Sequence, residues 1–253
     1  MNTASPLIID LCNPRLYAQM HILGSINLLP QQLLSGISPA AGKLPTLGQL
    51  ESLFSHLGYT GNNQHIVVYD DEGGGWAGRF IWTLDVIGHT HYSYLNGGIH
   101  AWLKAGLPLE NTPNQPEPTE VKLTINEDVI ASREYIEANL DNPDIVIWDA
   151  RSPEEYRGEK VFAQRGGHIP GAINYEWTRA MDPARDYRIR EAVQEELEAL
   201  GITKDKEIIT HCQSHHRSGF TYLVAKALGY KKVRAYDGSW SEWGNLPDTP
   251  IEV

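Results

Sequence analysis

His211-Cys212-Gln213-Ser214-His215-His216-Arg217-Ser218-Gly219 is the stretch from which the rest of the chain can be read. The apolar run Ile208-Ile209-Thr210 precedes it, and the helical pattern Tyr222-Leu223-Val224-Ala225-Lys226-Ala227-Leu228 follows. Cys212 therefore falls where a short buried strand ends and a helix is about to begin. A free cysteine titrates near ~8.5, and only its thiolate is a strong nucleophile. A helix N-terminus offers unpaired N–H groups and a partial positive charge, both favouring the thiolate. Arg217 adds a permanent cation at the helix start. The residues between can curl their N–H groups around the sulfur as an anion-binding nest. The stretch reads as a reactive cysteine held in a loop.

Outward from this loop, the chain repeats itself. Leu7-Ile8-Ile9-Asp10 corresponds to Ile145-Val146-Ile147-Trp148-Asp149, and His21-Ile22-Leu23-Gly24-Ser25-Ile26-Asn27 to His168-Ile169-Pro170-Gly171-Ala172-Ile173-Asn174. His65 to Tyr69 corresponds to Glu207 to His211, and Leu95 to Trp102 to Ala235 to Trp243, with one residue extra. So long a period means a duplicated domain, not a solenoid. Residues 1–108 form the first copy, 109–123 a linker and 124–253 the second copy, which carries the cysteine. The linker, with Pro113, Pro116 and Pro118 among polar neighbours, reads as extended and semi-rigid. Each copy alternates strand and helix, which predicts an α/β fold with a central parallel sheet flanked by helices. Ligands of such sheets sit beyond the carboxyl ends of the strands, where Cys212 is placed.

Composition narrows the function classes. The 253 residues suffice for two domains, and 41% apolar content supports a packed core. A net charge of -11 argues against a nucleic-acid or anionic-membrane surface. Two cysteines make no disulfide framework, which suggests a reducing, cytoplasmic setting. The first residues lack the basic and apolar stretches of a secretory signal, and no transmembrane helix is expected.

The sequence resembles the rhodanese family of tandem-domain sulfurtransferases. Gly167-His168-Ile169-Pro170-Gly171-Ala172-Ile173 is similar to the family's amino-terminal motif, and Val233-Arg234-Ala235-Tyr236-Asp237-Gly238-Ser239-Trp240-Ser241-Glu242-Trp243 to its carboxyl-terminal one. The resemblance implies two rhodanese-like domains, an inactive first and a catalytic second, with the active site in the cleft between them. It also implies transfer of a sulfane sulfur from a donor such as thiosulfate to a thiophilic acceptor such as cyanide. Cys212 would be the nucleophile and would hold the sulfur as a persulfide. Gln213, Ser214, His215, His216, Ser218, Asp149 and Trp177 would line the substrate. The implied partners are a small-molecule donor and acceptor, with a protein thiol as an alternative acceptor and mercaptopyruvate as an alternative donor. No metal or organic cofactor is implied.

The loop's length and composition refine this. Phosphatases that share the fold use Cys-x5-Arg, wide enough for a phosphoryl group. Here Arg217 closes a Cys-x4-Arg loop, a smaller ring suited to one sulfur atom. Cys212-Gln213-Ser214-His215-His216-Arg217 matches neither the Cys-Arg-Lys-Gly-Val-Thr loop of familiar thiosulfate enzymes nor the Cys-Gly-Ser-Gly-Val-Thr loop of mercaptopyruvate enzymes. It resembles a bacterial branch reading Cys-Gln-Thr-His-His-Arg. Arg217 is expected to lower the Cys212 pKa and to bind the donor's sulfonate, since guanidinium suits oxyanions. The family aspartate at the strand end matches Asp149, expected to orient the loop, but its partner arginine six residues on is Glu155 here. Arg151 and Arg157 are the candidates to replace it. A shortened-loop phosphatase and a non-enzymatic persulfide carrier or redox module are the alternatives.

Other features read as structural. Cys12 has no such loop and reads as a buried thiol. His211, Cys212, His215 and His216 are dense enough for zinc, but adjacent histidines in a tight loop seldom face one point. His215 and His216 are expected to tune charge at the cleft mouth. Gly73 to Gly78 fits a dinucleotide pattern, yet Asp70, Asp71 and Glu72 would repel a pyrophosphate. In the repeat Asp70 occupies the place of Cys212, so the loop reads as a silent copy whose glycines allow close packing. Arg190 to Leu200 reads as a surface helix with a solvated acidic face. Trp76, Trp102, Trp240 and Trp243 read as core or interface.

Overall fold

A computed structural model describes residues 5–253. Two four-stranded sheets carry the chain. The first contains β1 (Leu7–Asp10), β2 (Ser25–Asn27), β3 (Ile66–Tyr69) and β4 (Tyr92–Tyr94), ordered β2-β1-β3-β4. The second contains β5 (Ile145–Asp149), β6 (Ile173–Asn174), β7 (Glu207–His211) and β8 (Val233–Ala235), ordered β6-β5-β7-β8. Every pairing in both is parallel. The two orders are the same, so the duplication read from the sequence is a duplication of topology. Near-continuous apolar runs such as Ile66-Val67-Val68 are what strands covered on both faces require.

Helices α1 (Gly75–Val86) and α2 (Arg217–Ala227) follow β3 and β7 and pack on each other. Their contact is backbone on backbone. A Cβ added at Gly78 would lie 2.2 Å from the Gly219 oxygen, and one at Gly219 only 2.6 Å from the Arg79 nitrogen. Glycine at both positions brings the axes closer than any side chain would permit. One hydrophobic cluster runs from Leu7, Val68 and Trp82 into Trp148, Tyr222 and Val224, so the two copies share a core.

The linker differs from a free spacer. Leu109–Glu110 pairs antiparallel with His21–Ile22. Asn114 donates to the Ser25 carbonyl at 3.0 Å, and Thr119 Oγ1 to the Tyr59 carbonyl at 2.6 Å. The segment is extended, as its prolines dictate, but strapped to the first copy. The acidic helix also differs. It spans Val193–Ala199 and leaves out Glu191, while Glu196 binds Arg190 and sits 3.1 Å from Arg179 rather than facing only solvent.

Candidate active site

Strand β7 pairs with β5 in a register that sets His211 beside Asp149, and this delivers Cys212 past the sheet's carboxyl edge. Five loop residues separate β7 from the first residue of α2, Arg217. His215 turns the chain with φ +56°, which curls the loop about the sulfur. Cys212 is 1% exposed. Burial alone would push its thiol up. The Arg217 charge, the Ser218 hydroxyl and the backbone N–H groups of Ser218 and Ser214 more than offset this and hold Cys212 below the usual thiol range.

Arg217 does not stand free. Its guanidinium donates to Glu155 Oε2 at 2.6 Å and to Oε1 at 2.8 Å. Glu155 is placed by its own local sequence. Ser152-Pro153-Glu154-Glu155 forms a capping box in which Ser152 accepts from the Glu155 N–H at 3.3 Å and its N–H reaches Glu155 Oε2. Burial raises the Glu155 carboxyl, but the Arg217 bonds and charge win and keep it below the ordinary range. Both ends of its guanidinium fork are engaged by Glu155, and its charge acts on the sulfur.

Asp149 lies beneath the loop, fully buried. Burial pushes its carboxyl up, but the His211 and Arg151 charges hold it below its usual value. Arg151 Nη2 meets its Oδ2 at 2.6 Å, so Arg151, two residues on, supplies the charge pair missing at Glu155. Arg157 instead pairs with Glu159 at the surface. His211 Nε2 is 3.5 Å from Asp149, yet burial brings the imidazole down to about 4, so it is neutral near neutral pH. Asp149 is thus buried beneath the loop and paired with Arg151.

The remaining expected residues divide. His215 is buried, with its ring edge-on to Trp82 at 4.5 Å and Nδ1 2.8 Å from the Ser218 hydroxyl. Burial, then the Arg79 and His216 charges, drive it well below the ordinary imidazole value, so it carries no charge at a cleft mouth. His216 does sit between the domains. It pairs with Glu72 of the first copy and stacks on Trp76 at 4.2 Å, with Trp177 at 5.7 Å. Gln213 reaches the Phe162 carbonyl at 3.3 Å. Ser214 lies under the first copy, where a Cβ at Gly42 would fall 2.3 Å from its carbonyl oxygen.

The carboxyl-terminal motif does more than stabilise the fold. Ser239, at φ +52°, accepts from the Cys212 N–H at 3.3 Å, while Trp240 N–H binds the Cys212 carbonyl at 3.0 Å and Ser241 N–H the Gln213 carbonyl at 2.9 Å. Nothing in the sequence marks a serine in a left-handed conformation. The first-copy loop reproduces the arrangement around a carboxylate. Asp70 accepts from Gly74 N–H at 2.9 Å and from Ala77 N–H at 3.0 Å, and burial followed by Glu72 raises it to about 6. The nest holds its own side chain, which leaves it unsuited to a dinucleotide. Cys12 is buried, and burial followed by Asp10 pushes its thiol up. Both cysteines are free. Among the described residues, no group of three or more His, Cys, Asp or Glu is arranged to hold a metal ion, and no helix is long and apolar enough to cross a membrane.

Two copies of one parallel sheet, only one with a thiol in its nest, define a cysteine-dependent α/β protein of duplicated domains. The chain belongs to the rhodanese family: the rhodanese-like domain matches residues 1–105 and 132–246. It is 56% identical to the thiosulfate sulfurtransferases of Pseudomonas aeruginosa and Azotobacter vinelandii, over 98% of this chain and 91% of each relative. It is 35% identical to the sulfur carrier protein TtuD of Thermus thermophilus, over 80% of this chain and 75% of that protein. Among solved structures, YnjE superposes with a TM-score of 0.88 at 23% identity, over 99% of this chain, and wild-type EanB with 0.87 at 22%. The chain spans 63% and 64% of those two structures, and at such identity they speak to the fold alone.

Proposed function

We infer that this protein is a thiosulfate sulfurtransferase acting through a Cys212 persulfide. The observation that carries the reading is a free thiol, Cys212, set between the end of β7 and the start of α2; the Arg217 charge, then Ser218 and Ser214, hold it below the usual thiol range. The thiolate attacks the outer sulfur of thiosulfate. The sulfur–sulfur bond breaks, and sulfite leaves with the bonding pair. The product is a persulfide anion, one sulfur longer, which needs the same donors. A nucleophilic acceptor such as cyanide then takes the terminal sulfur, and the electron pair returns to Cys212 as thiolate. Two half-reactions through a covalent intermediate give ping-pong kinetics. Mercaptopyruvate is the second donor to assay, and two free cysteines fit a reducing cytoplasm.

The relative named as a sulfur carrier favours a second outcome of the same chemistry, delivery of the persulfide sulfur to a protein thiol. Cys212→Ser tests the first reading. It abolishes thiocyanate formation from thiosulfate and cyanide, and retained turnover would remove Cys212 from the reaction. An enzyme cleaving aryl phosphate in place of thiosulfate would point to the phosphatase chemistry of the fold.

A further inference from the structure

We infer that Arg79, on the domain without a nucleophile, is an electrostatic positioning residue for the Cys212 anion. Arginine is almost never fully buried without a counter-ion, because an unpaired buried charge is costly. Arg79 is fully buried. Its Nη2 donates to the Leu33 carbonyl at 2.7 Å and its Cζ lies 4.7 Å from the Trp82 ring centroid, but Nε and Nη1 have no hydrogen-bond partner. Among the described residues no carboxylate lies within ion-pair distance of it. Its place is directly behind the cysteine loop. The Arg79 backbone abuts Gly219, the residue after Ser218, and Trp82 meets the His215 ring of the loop at 4.5 Å.

The anions whose charge acts on Arg79 are Asp237, two residues past β8, and then Cys212. Asp237 is buried and accepts the Leu44 N–H at 2.8 Å. Burial brings the guanidinium down to about 10, with Asp237 and then Cys212 acting against that fall, so Arg79 remains a cation near neutral pH. The neighbouring imidazole of His215 is kept neutral. Around Cys212 the other charges are compensated: Arg217 by Glu155, and Arg151 by Asp149, with His211 neutral between them. Among the described residues Arg79 has no such paired carboxylate within ion-pair distance; Asp237 and then an anionic Cys212 sulfur act on its charge. Thiolate and persulfide carry the same charge, so Arg79 stabilises both against the neutral thiol.

The inference rests on Cys212 being the nucleophile, so its test avoids turnover. The thiolate ultraviolet absorbance of the full chain is titrated against pH, with the Cys212→Ser protein subtracted. Arg79→Met raises the Cys212 midpoint by about one pH unit. Arg79→Lys, which keeps a cation, returns it toward the native position. Asp237→Asn, which removes an opposing anion, moves it down. An unmoved midpoint in folded Arg79→Met overturns the inference. If that variant does not fold, an unmoved midpoint in Asp237→Asn overturns it equally. Loss of the proposed function is a different result, namely turnover surviving Cys212→Ser.

Discussion

Arg217 and Glu155 face each other through two hydrogen bonds of 2.6 and 2.8 Å, and this pair sets the charge beside the Cys212 sulfur. Removing either partner shifts the thiol in opposite directions. Arg217→Ala deletes the cation and leaves Glu155 as a bare anion nearby, so the Cys212 midpoint rises. Glu155→Gln frees the guanidinium, so it falls. Titration of thiolate absorbance in the two variants reads both signs, and equal directions would contradict the arrangement.

The same pair predicts a stability window. Glu155 is held below its unfolded value, so its contribution is present above the unfolded carboxylate pKa of about 4.3. It is lost as pH falls through the lower folded value. Thermal midpoints of the native chain and Glu155→Gln should differ most near neutral pH and converge in acid. A gap of constant size across that range would assign the effect to packing instead.

Ser239 carries the backbone of the nucleophile. Ser239→Ala leaves the buried Cys212 N–H without its acceptor, which costs about 1–3 kcal/mol. The loop then relaxes, and kcat falls more than KM rises. Chemical denaturation and steady-state kinetics on one preparation check both, and native values for each would remove Ser239 from the loop's support.

Gly78 tests the seam between the domains. Gly78→Ala would put a methyl group 2.2 Å from the Gly219 oxygen, so the helices must separate. Overpacking of this kind costs about 1–3 kcal/mol. Because α2 begins with Arg217, the shift also reaches the loop, and activity drops with stability. A stable, fully active Gly78→Ala chain would mean that the helices do not meet there.

Much of the fold and the nucleophile's place is legible in the sequence. The duplicated strand patterns identified two equivalent sheets, and the strand–cysteine–helix order located Cys212, because apolar periodicity and helix-start chemistry are local properties of the chain. What failed was long-range pairing. Glu155 reads as the loss of an arginine, and only the fold turns it toward Arg217. His215 and His216 look alike in sequence, yet φ +56° at His215 sends it into the core while His216 meets Glu72. A single arginine in a helical pattern, as Arg79 is, reads as surface. Its burial follows from the Gly78–Gly219 contact, which joins residues of the two copies.

The most direct measurement is the intact mass of the protein after incubation with thiosulfate, followed by peptide mapping. The account predicts a gain of one sulfur atom, located on the peptide containing Cys212 and discharged by cyanide. No gain, or a gain located on Cys12, would contradict it.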